Sequence, residues 1–373
     1  MGDIMSTAIT SSKIPFFGRA WSLTITPNAG PSAGTPIVIT SDTFEPEALR
    51  MTFEVTQLAF SAFWHAEITI WNANGPISSG PSKGINLYQA IIQEGDMVTL
   101  AAGYQFDYPP PSIPPVIWNG PIFYTIQDRP DIVDQRLIIH CLLNRALTTQ
   151  NFLNATLPAR STQFSQAQFI AENAVNKIGI RQSQVQSALA AAKPQRGSGN
   201  LPRAKTYFGN PHHYLNKLAD QANCLSWFDA THWNIDTLQT PTGPLVGTYA
   251  PVIPLGPPPQ TASKVSFTLV GHPRQTQLGV DFRILIDPLV QVVAPLVKVG
   301  LAIQYIRQAP IGYPLSKGSF PPLPLVDQYV VIGVCIRGDT RGNEWYTEIT
   351  GAAQILTAIQ LLGQSGQADA TGN

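Results

Sequence analysis

The sequence predicts a mainly β protein with an α+β insert in its middle. Alternating apolar and polar residues recur towards both ends of the chain, and helical spacing is confined to about residues 148–262. Alternation with a period of two indicates a half-buried strand, whereas apolar residues at i, i+3 and i+4 indicate a helix. We therefore expect β domains at 14–147 and 263–356 on either side of the insert, with flexible ends at 1–13 and 357–373.

Strand patterns fill the first zone. The stretch from Leu49 to Thr56 alternates without a fault, and the stretch from Ala66 to Ile70 repeats the pattern. Further strands are expected at 98–100, 122–126 and 137–141. The connections between them are rich in proline, which has no N–H for a sheet ladder and is therefore excluded from central strands. These features favour a barrel or sandwich with long loops.

The middle zone combines helices with a hairpin. The stretch from Ser165 to Gln168 is a capping-box pattern, so a helix is predicted to begin there, and 184–193 is a second, alanine-rich candidate. A third helix is predicted to begin with Asn210 as its N-cap and Pro211 in its first turn. A β-hairpin over about 225–235 is predicted to follow it.

The third zone returns to strands, which are expected at 265–269, 295–301 and 329–336, with a proline-dense segment at 309–325. The first zone has the same order of strand, proline-rich excursion and long strand pair. The similarity is one of layout and not of identity, so on its own it is weak evidence for an internal repeat.

The run from Gly338 to Glu348 is the most distinctive segment of the chain. It follows the apolar run 329–336, begins as a dense polar turn, and resumes the strand pattern through Trp345. Gly338 and Gly342 bracket residues that favour tight backbone turns. Nothing in the segment builds a catalytic site.

The chain is neutral and poor in charge. Lys plus Arg equals Asp plus Glu at 23 each, and charged residues make up 12% of the sequence, about half the usual share. No basic field attracts nucleic acid, which argues against a DNA-binding protein. A charge-poor surface suits a permanent assembly, because interface cores are depleted of charge; a secreted β protein is the alternative. We expect Cys141, Cys224 and Cys335 to be small buried hydrophobes.

Two motifs match catalytic or metal sites in pattern only. The stretch from Gly80 to Gly84 fits the G-x-S-x-G nucleophile elbow, but that elbow needs a strand before the serine, and in this chain a Gly/Ser/Pro loop precedes it. The adjacent His212 and His213 point about 100° apart on a helix, so they cannot bind one metal ion together. With His232 they form the only histidine cluster, and a solvated helix start is expected.

Asp339, Glu344 and Glu348 raise the question of a carboxylate pair for glycoside cleavage. In a strand, residues 344 and 348 lie about 13 Å apart, which is too far for retaining chemistry. Surface ion pairs with Arg337 and Arg341 are expected instead. The sequence therefore predicts no catalytic, cofactor-binding or metal-binding residue.

Three stretches carry a resemblance to a known family: 50–145, which includes Gly103-Tyr104, then Tyr207 to Ile235, and Gly279 to Glu348. They resemble the tail baseplate hub proteins of contractile-tailed, Mu-like phages. The first and third stretches look like the two tube-type domains of these hubs, and the second is similar to the small domain inserted between them. The run from Gly338 to Glu348 is the most specific part of the resemblance.

The resemblance implies two tube-type β-barrel domains flanking a small helix/hairpin domain, and a homotrimer whose domains form a six-fold-like ring. Such a trimer can mate with a hexameric tube ring, because each subunit presents two equivalent surfaces. The implied role is to join the tail tube protein to a trimeric tail spike, beside other baseplate proteins, around a channel that genomic DNA passes without specific binding. The implied location is the tail baseplate of the virion, after synthesis in the host cytoplasm. No enzymatic activity and no cofactor are implied.

The resemblance also indicates which residues shape a tube-domain loop or a subunit contact. They are Gly338, Asp339, Thr340, Arg341, Gly342, Asn343, Glu344, Trp345, Tyr346, Gly103 and Tyr104.

Two other functions stay open from the sequence. A tail-associated cell-wall hydrolase would depend on Glu344, Glu348 or His232. A receptor- or glycan-binding tail module would display aromatic loops. A membrane anchor is not expected, because charges and prolines interrupt the apolar stretch 284–306.

Overall fold

The computed structural model describes residues 18–28, 34–40, 49–58, 63–72, 87, 92–104, 114–131, 134–191, 201–222, 224–229, 232–237, 248–251, 265–275, 279–286, 302–306 and 326–353. The chain divides into two compact units. Unit 1 comprises Met1–Thr52, Ile68–Ile139 and Asp339–Asn343, and unit 2 comprises Phe53–Glu67, His140–Gly338 and Glu344–Asn373.

Strands outnumber helices in the described parts of the chain. In chain order, the elements are β1 (Arg19–Thr26), β2 (Ile37–Thr40), β3 (Met51–Leu58), β4 (Trp64–Trp71), β5 (Met97–Tyr104), β6 (Val116–Asp128), β7 (Arg136–Leu143), α1 (Arg145–Thr148), β8 (Leu153–Leu157), α2 (Gln163–Asn173), β9 (Gly179–Ile180), α3 (Gln182–Ala191), β10 (Lys205–Gly209), α4 (Pro211–Gln221), β11 (Cys224–Asp229), β12 (His232–Thr237), β13 (Thr248–Pro251), β14 (Val265–Gln275), β15 (Gly279–Leu285), β16 (Ala302–Ile306), β17 (Val326–Asp339) and β18 (Trp345–Ala353).

Unit 1 is a sheet with the strand order β2, β1, β5, β6, β7, β4 and β3. Its last three strands belong to the unit only through residues 136–139, 68–71 and 51–52. β1 pairs antiparallel with β2 on one side and with β5 on the other, so that Leu23 lies opposite both Ile39 and Leu100. These three side chains are buried, as period-two alternation requires for the core face of a sheet.

Unit 2 contains a closed ring of six strands. β16, β13, β14, β15, β18 and β17 pair in that order, and a further pairing between β16 and β17 closes the ring. β13 runs parallel to both of its neighbours, whereas the other pairs are antiparallel. Closure leaves these strands without a free edge for another chain to pair with. The prediction of a mainly β fold is confirmed.

Alternation along β18 sorts its side chains between the interior and the surface of this ring. Trp345, Thr347 and Ile349 are buried, whereas Tyr346 and Glu348 between them are half-buried and face outward. The predicted strand 329–336 lies within β17, the other strand of this hairpin.

The α+β insert lies within unit 2 and has its own core. Helices α2, α3 and α4 pack with the two-stranded ribbon β8–β10 and the hairpin β11–β12 around a cluster that includes Leu153, Ile170, Leu215, Phe228 and Trp233. The predicted hairpin is confirmed, and β9 adds a third, parallel strand beside β12.

The first helix of the insert begins one turn earlier than the capping pattern predicted. α2 starts at Gln163, and the Thr162 hydroxyl accepts a hydrogen bond from the Ser165 backbone N–H at 3.1 Å. The prediction that the helix begins at Ser165 was therefore wrong. Thr162, three residues earlier in the chain, carries a hydroxyl acceptor of the same kind and is the N-cap. The cap of α4 is confirmed, since Asn210 Oδ1 accepts from the His212 N–H at 2.9 Å.

The remaining sequence-based expectations concern the cysteines, the helices and three segments that the structure does not describe. The stretch from Gly80 to Gly84 and the segments 295–301 and 309–325 lie outside the described residues. The three cysteines are thiols that form no disulfide with one another; Cys141 and Cys224 are buried as expected, whereas Cys335 is half-buried. Within the described part of the chain, no helix is both long and apolar enough to cross a bilayer.

We expect Thr162→Ala to lower the free energy of unfolding by about 1 kcal/mol, because it removes the N-cap acceptor of α2. Urea denaturation checks this value. Ser165→Ala is the matched control: it keeps the backbone N–H that the cap binds, and its cost should be smaller. A larger cost for Ser165→Ala would return the N-cap to Ser165.

Candidate functional site: the turn between β17 and β18

The Asp339 carboxylate, at the end of β17, is the most heavily bonded group of the site. Its side chain is 10% exposed. The Arg50 guanidinium donates to both carboxylate oxygens, with Nε 3.2 Å from Oδ1 and Nη2 2.7 Å from Oδ2. The Arg341 backbone N–H donates to Oδ1 at 2.9 Å. A two-pronged guanidinium contact fixes direction as well as distance. All of these atoms belong to unit 1.

The balance of charges at this pair favours the ionised forms. Burial alone would raise the pKa of Asp339, but hydrogen bonds from Arg50 and from the backbone amides of Arg341 and Gly342 outweigh burial and lower it. The hydrogen bond to Asp339 in turn raises the pKa of Arg50.

Two neighbours of Asp339 complete the turn. A Cβ at Gly342 would lie 2.3 Å from Asp339 Oδ2, so only glycine leaves room for the carboxylate. Thr340 ties the turn to the start of β3, because its N–H donates to the Met51 carbonyl at 2.9 Å and its hydroxyl accepts from the Met51 N–H at 2.9 Å.

Arg19 contacts both groups of predicted site residues in unit 1, namely the turn at Asp339 and the pair Gly103-Tyr104. Arg19 Nη1 donates to the Asp339 carbonyl, and Arg19 is the register partner of Tyr104 on β5. Gly103 lies opposite Ala20 in the same pairing, and Tyr104 is buried. Gly103-Tyr104 therefore belongs to the sheet core beside the turn.

Arg50 is held on a second side by an aromatic ring. Its guanidinium carbon lies 5.2 Å from the centroid of Trp71, which is within the range of a cation–π contact. Sequence reasoning missed both Arg50 and Arg19 as site residues. Arg50 occupies an ordinary polar position in the alternation that runs into β3, and its partner is 289 positions away.

In unit 2, the absence of a side chain at Gly338 makes room for the aromatic side chain of Phe53. A Cβ at Gly338 would lie 2.2 Å from Phe53 Cζ. Phe53 in turn meets Trp345 edge to face, with ring centroids 5.4 Å apart at 72°, a preferred geometry for aromatic pairs. Trp345 is 4% exposed. Gly338 and Trp345 are thus parts of the interior of this unit.

A ladder of alternating charges crosses the outer face of the same unit. Arg337 lies between two carboxylates, with Nε 3.2 Å from Glu54 Oε2 and Nη1 3.7 Å from Glu348 Oε2. Glu348 also binds Arg283 Nε at 2.6 Å, and the Arg283 guanidinium lies over the ring of Tyr346. The expected ion pair between Glu348 and Arg337 is confirmed.

Opposing effects act on the pKa of Arg337. Burial lowers the pKa of Arg337. The hydrogen bond with Tyr346 and the charges of Cys335, Glu54 and Glu348 raise it, and together they outweigh burial, so that the pKa is raised overall. The guanidinium therefore stays charged.

The carboxylates of this segment are engaged in ion pairs and hydrogen bonds. Glu348 is committed to two arginines, and Glu344 Oε1 accepts from the Tyr346 hydroxyl at 3.4 Å. Asp339 pairs with Arg50, where the sequence led us to expect Arg337 or Arg341. Among the described residues, no three His, Cys, Asp or Glu side chains form a group that could hold a metal ion.

The predicted site residues divide by exposure. Gly338, Asp339 and Trp345 are buried and build the turn, whereas Arg341, Asn343 and Glu344 are exposed. Exposed side chains on a rigid, well-bonded turn are suited to contact with another chain.

Sequence and structure comparisons give different results. No known family profile matches the chain. No curated protein is detectably similar to it in sequence. A tail protein from Neisseria meningitidis has a similar structure, with a TM-score of 0.50, 10% identity, and coverage of 92% of this chain and 98% of that one.

Two further solved structures match with lower scores. The 43 kDa tail protein of prophage MuSo2 from Shewanella oneidensis has a TM-score of 0.48 at 8% identity, covering 90% of this chain and 99% of that one. A type VI secretion component of E. coli, itself described as similar to the bacteriophage tail proteins gp27 and gp5, has a TM-score of 0.42 at 12% identity, with coverages of 82% and 73%. At 10% identity, the likeness to the Neisseria protein shows that the two chains share a fold.

We expect Gly342→Ala to destabilise the protein by about 1–3 kcal/mol, because the added methyl group overlaps the Asp339 carboxylate. Thermal or urea denaturation gives the value. Asn343→Ala, in the exposed part of the same turn, is the control and should stay within about 0.5 kcal/mol of the native chain. Equal stability of the two variants would contradict the steric explanation.

We expect Asp339→Asn to cost about 2 kcal/mol at neutral pH, since it weakens charged hydrogen bonds to Arg50. The pKa of Asp339 is lowered by folding, so its contribution is complete above its ordinary value of 3.8 and is lost as the pH falls through the folded value. The stability gap between native and variant chains should therefore shrink in acid.

Urea denaturation at a series of pH values from neutral to acid measures this gap. Glu344→Gln, which removes an exposed carboxylate from the same turn, is the control and should cost less than Asp339→Asn at neutral pH. A gap for Asp339→Asn that stays constant into acid would argue against the ion pair as its source.

Proposed function

We propose that the chain is a structural protein of a phage-type tail, and specifically a homotrimeric baseplate hub that joins the tail tube to the central spike. The observation that carries this proposal is the shared fold with a tail protein from Neisseria meningitidis, which extends over 92% of one chain and 98% of the other. A likeness of that extent concerns the whole arrangement of elements and not one common motif.

The charge distribution supports a role around a DNA channel. The chain has no net charge and 12% charged residues, and Arg50, Arg283 and Arg337 at the candidate site each pair with a carboxylate. A wall that lets DNA slide past has to bind phosphate weakly, which unpaired lysine and arginine would prevent. Genomic DNA would therefore pass without specific binding.

The proposed assembly explains why one chain would carry two tube-type domains. A trimer offers six equivalent surfaces to a hexameric tube ring only when each subunit offers two. The proposed partners are two further copies of the chain, the tail tube protein, a trimeric spike and other baseplate proteins. The proposed location is the tail baseplate of the virion, after synthesis in the host cytoplasm.

Within this proposal the turn between β17 and β18 has two layers. Asp339, Gly342 and Trp345 hold its shape, and the exposed Arg341, Asn343 and Glu344 meet a neighbouring chain. The protein has no enzymatic role on this view, since Glu348, which a hydrolase would need, is engaged by Arg283 and Arg337.

A receptor- or glycan-binding tail module is the second candidate function. It is favoured by Phe152 and Phe208, which are 42% and 66% exposed and meet edge to face with centroids 5.1 Å apart. Exposed aromatic rings are enriched in binding surfaces.

The native mass of the protein separates the two functions. We expect light scattering to give about three times 40.4 kDa, either for the chain alone or after co-expression with neighbouring tail genes. A strict monomer under both conditions would contradict the hub and leave the binding module as the better candidate.

Charge reversal at Glu344 tests the contact residues. Glu344→Lys should reduce the trimer fraction while leaving the circular dichroism spectrum unchanged. Glu172→Lys, on the exposed face of α2, is the matched control. An unchanged trimer fraction for Glu344→Lys would exclude this end of the turn from the contact.

A further inference from the structure

A short polar chain links the start of α4 to the neighbouring hairpin. His212 Nε2 lies 3.1 Å from Asn216 Nδ2, one helical turn later, and Asn216 Oδ1 accepts from the Ser226 hydroxyl on β11 at 3.2 Å. The ring of His212 also rests against Phe228, with centroids 5.0 Å apart. The imidazole thus lies at the junction of α4 and β11.

The donors and acceptors of this chain define the protonation state of His212. Because the Asn216 carbonyl oxygen is taken by Ser226, the amide NH₂ group faces the imidazole and donates. With the amide in this orientation Nε2 is the acceptor, which corresponds to a neutral His212 with its proton on Nδ1. A proton added to Nε2 would set one donor against another.

The surroundings of His212 also disfavour a positive charge. The side chain is half-buried, and it belongs to the first turn of α4, where the helix dipole is positive. Burial lowers the pKa of His212, and the charge of His213 lowers it further.

The elements packed on this end of α4 carry several other ionisable groups. Among the described side chains they are His213, Tyr214, Lys217 and Asp220 on α4 itself, Cys224 on β11, Arg145 on α1 and Glu172 on α2. Of these, His213 is the group whose charge lowers the pKa of His212.

We propose that His212 is an acid-sensitive latch, which holds α4 to the β11–β12 hairpin while neutral and releases it when Nε2 takes up a proton. The latch concerns the insert alone and is independent of the proposed function. Protonation breaks the bond from Asn216 and places a cation at the N-terminus of a helix, where the helix dipole opposes it.

The direction of the effect follows from linkage. The unfolded chain takes up a proton near the ordinary histidine pKa of 6.5, whereas the folded insert resists it to lower pH. The latch is therefore fully effective above 6.5 and weakens as the pH falls from there towards the folded value. One proton gives at most about a tenfold change in the opening equilibrium per pH unit.

Hydrogen exchange tests the proposal on the full-length chain. We expect the exchange of the 224–229 amides, corrected for intrinsic pH dependence, to accelerate by up to about tenfold per unit below pH 6.5. His212→Gln should remove this acceleration, because its amide oxygen accepts from Asn216 at every pH. His213→Gln, at the exposed neighbouring position, should retain it.

Two results would overturn the latch. One is equal acceleration of exchange in the native chain and in His212→Gln. The other comes from NMR of the native protein and holds even where the variant fails to fold: His212 protonated on Nε2 at neutral pH, or titrating at or above 6.5. A neutral Nδ1–H form that titrates below 6.5 supports it.

Discussion

The cost of burying one carboxylate explains most of the turn between β17 and β18. Asp339 is 10% exposed, and a charge so nearly removed from water destabilises a fold unless it is paired and hydrogen-bonded. Arg50 and the Arg341 amide satisfy that need, and Gly342 leaves the space in which they can do so. Electrostatics and volume therefore fix Asp339 and Gly342 in this turn.

The closed ring of unit 2 obeys a different constraint, that of packing. The aromatic side chain of Phe53 occupies the space that a side chain at position 338 would need. Trp345 packs edge to face against Phe53. Close-packed interiors have little room to adjust, so glycine at 338 is required by its neighbour. The tip between these two anchored ends carries the exposed side chains of Arg341, Asn343 and Glu344.

The sequence predicts what local chemistry determines. Alternation located β3 to β7, β14 and β17, whereas β1, β2 and β16 were not predicted. Asn210 marked the start of α4, because a cap is bonded within its own helix turn. The error at Ser165, where Thr162 is the cap, came from two similar hydroxyls three residues apart. The bond between Arg50 and Asp339 was beyond reach, since nothing in either segment shows which distant strand will lie beside it.

That distance also has a consequence for how the protein is made. Arg50 and Asp339 are separated by 289 positions, so at about 5–20 residues per second β3 waits roughly 15–60 s on the ribosome for β17. β3 is a neighbour of β17 in the sheet, and Phe53 on β3 packs against Trp345 on β18, so until then the apolar surface of Phe53 lacks both. A polypeptide released before residue 339 keeps that surface uncovered, which marks it for chaperones and proteases. An incomplete polypeptide therefore differs from the complete chain by an apolar surface that the last strands would cover.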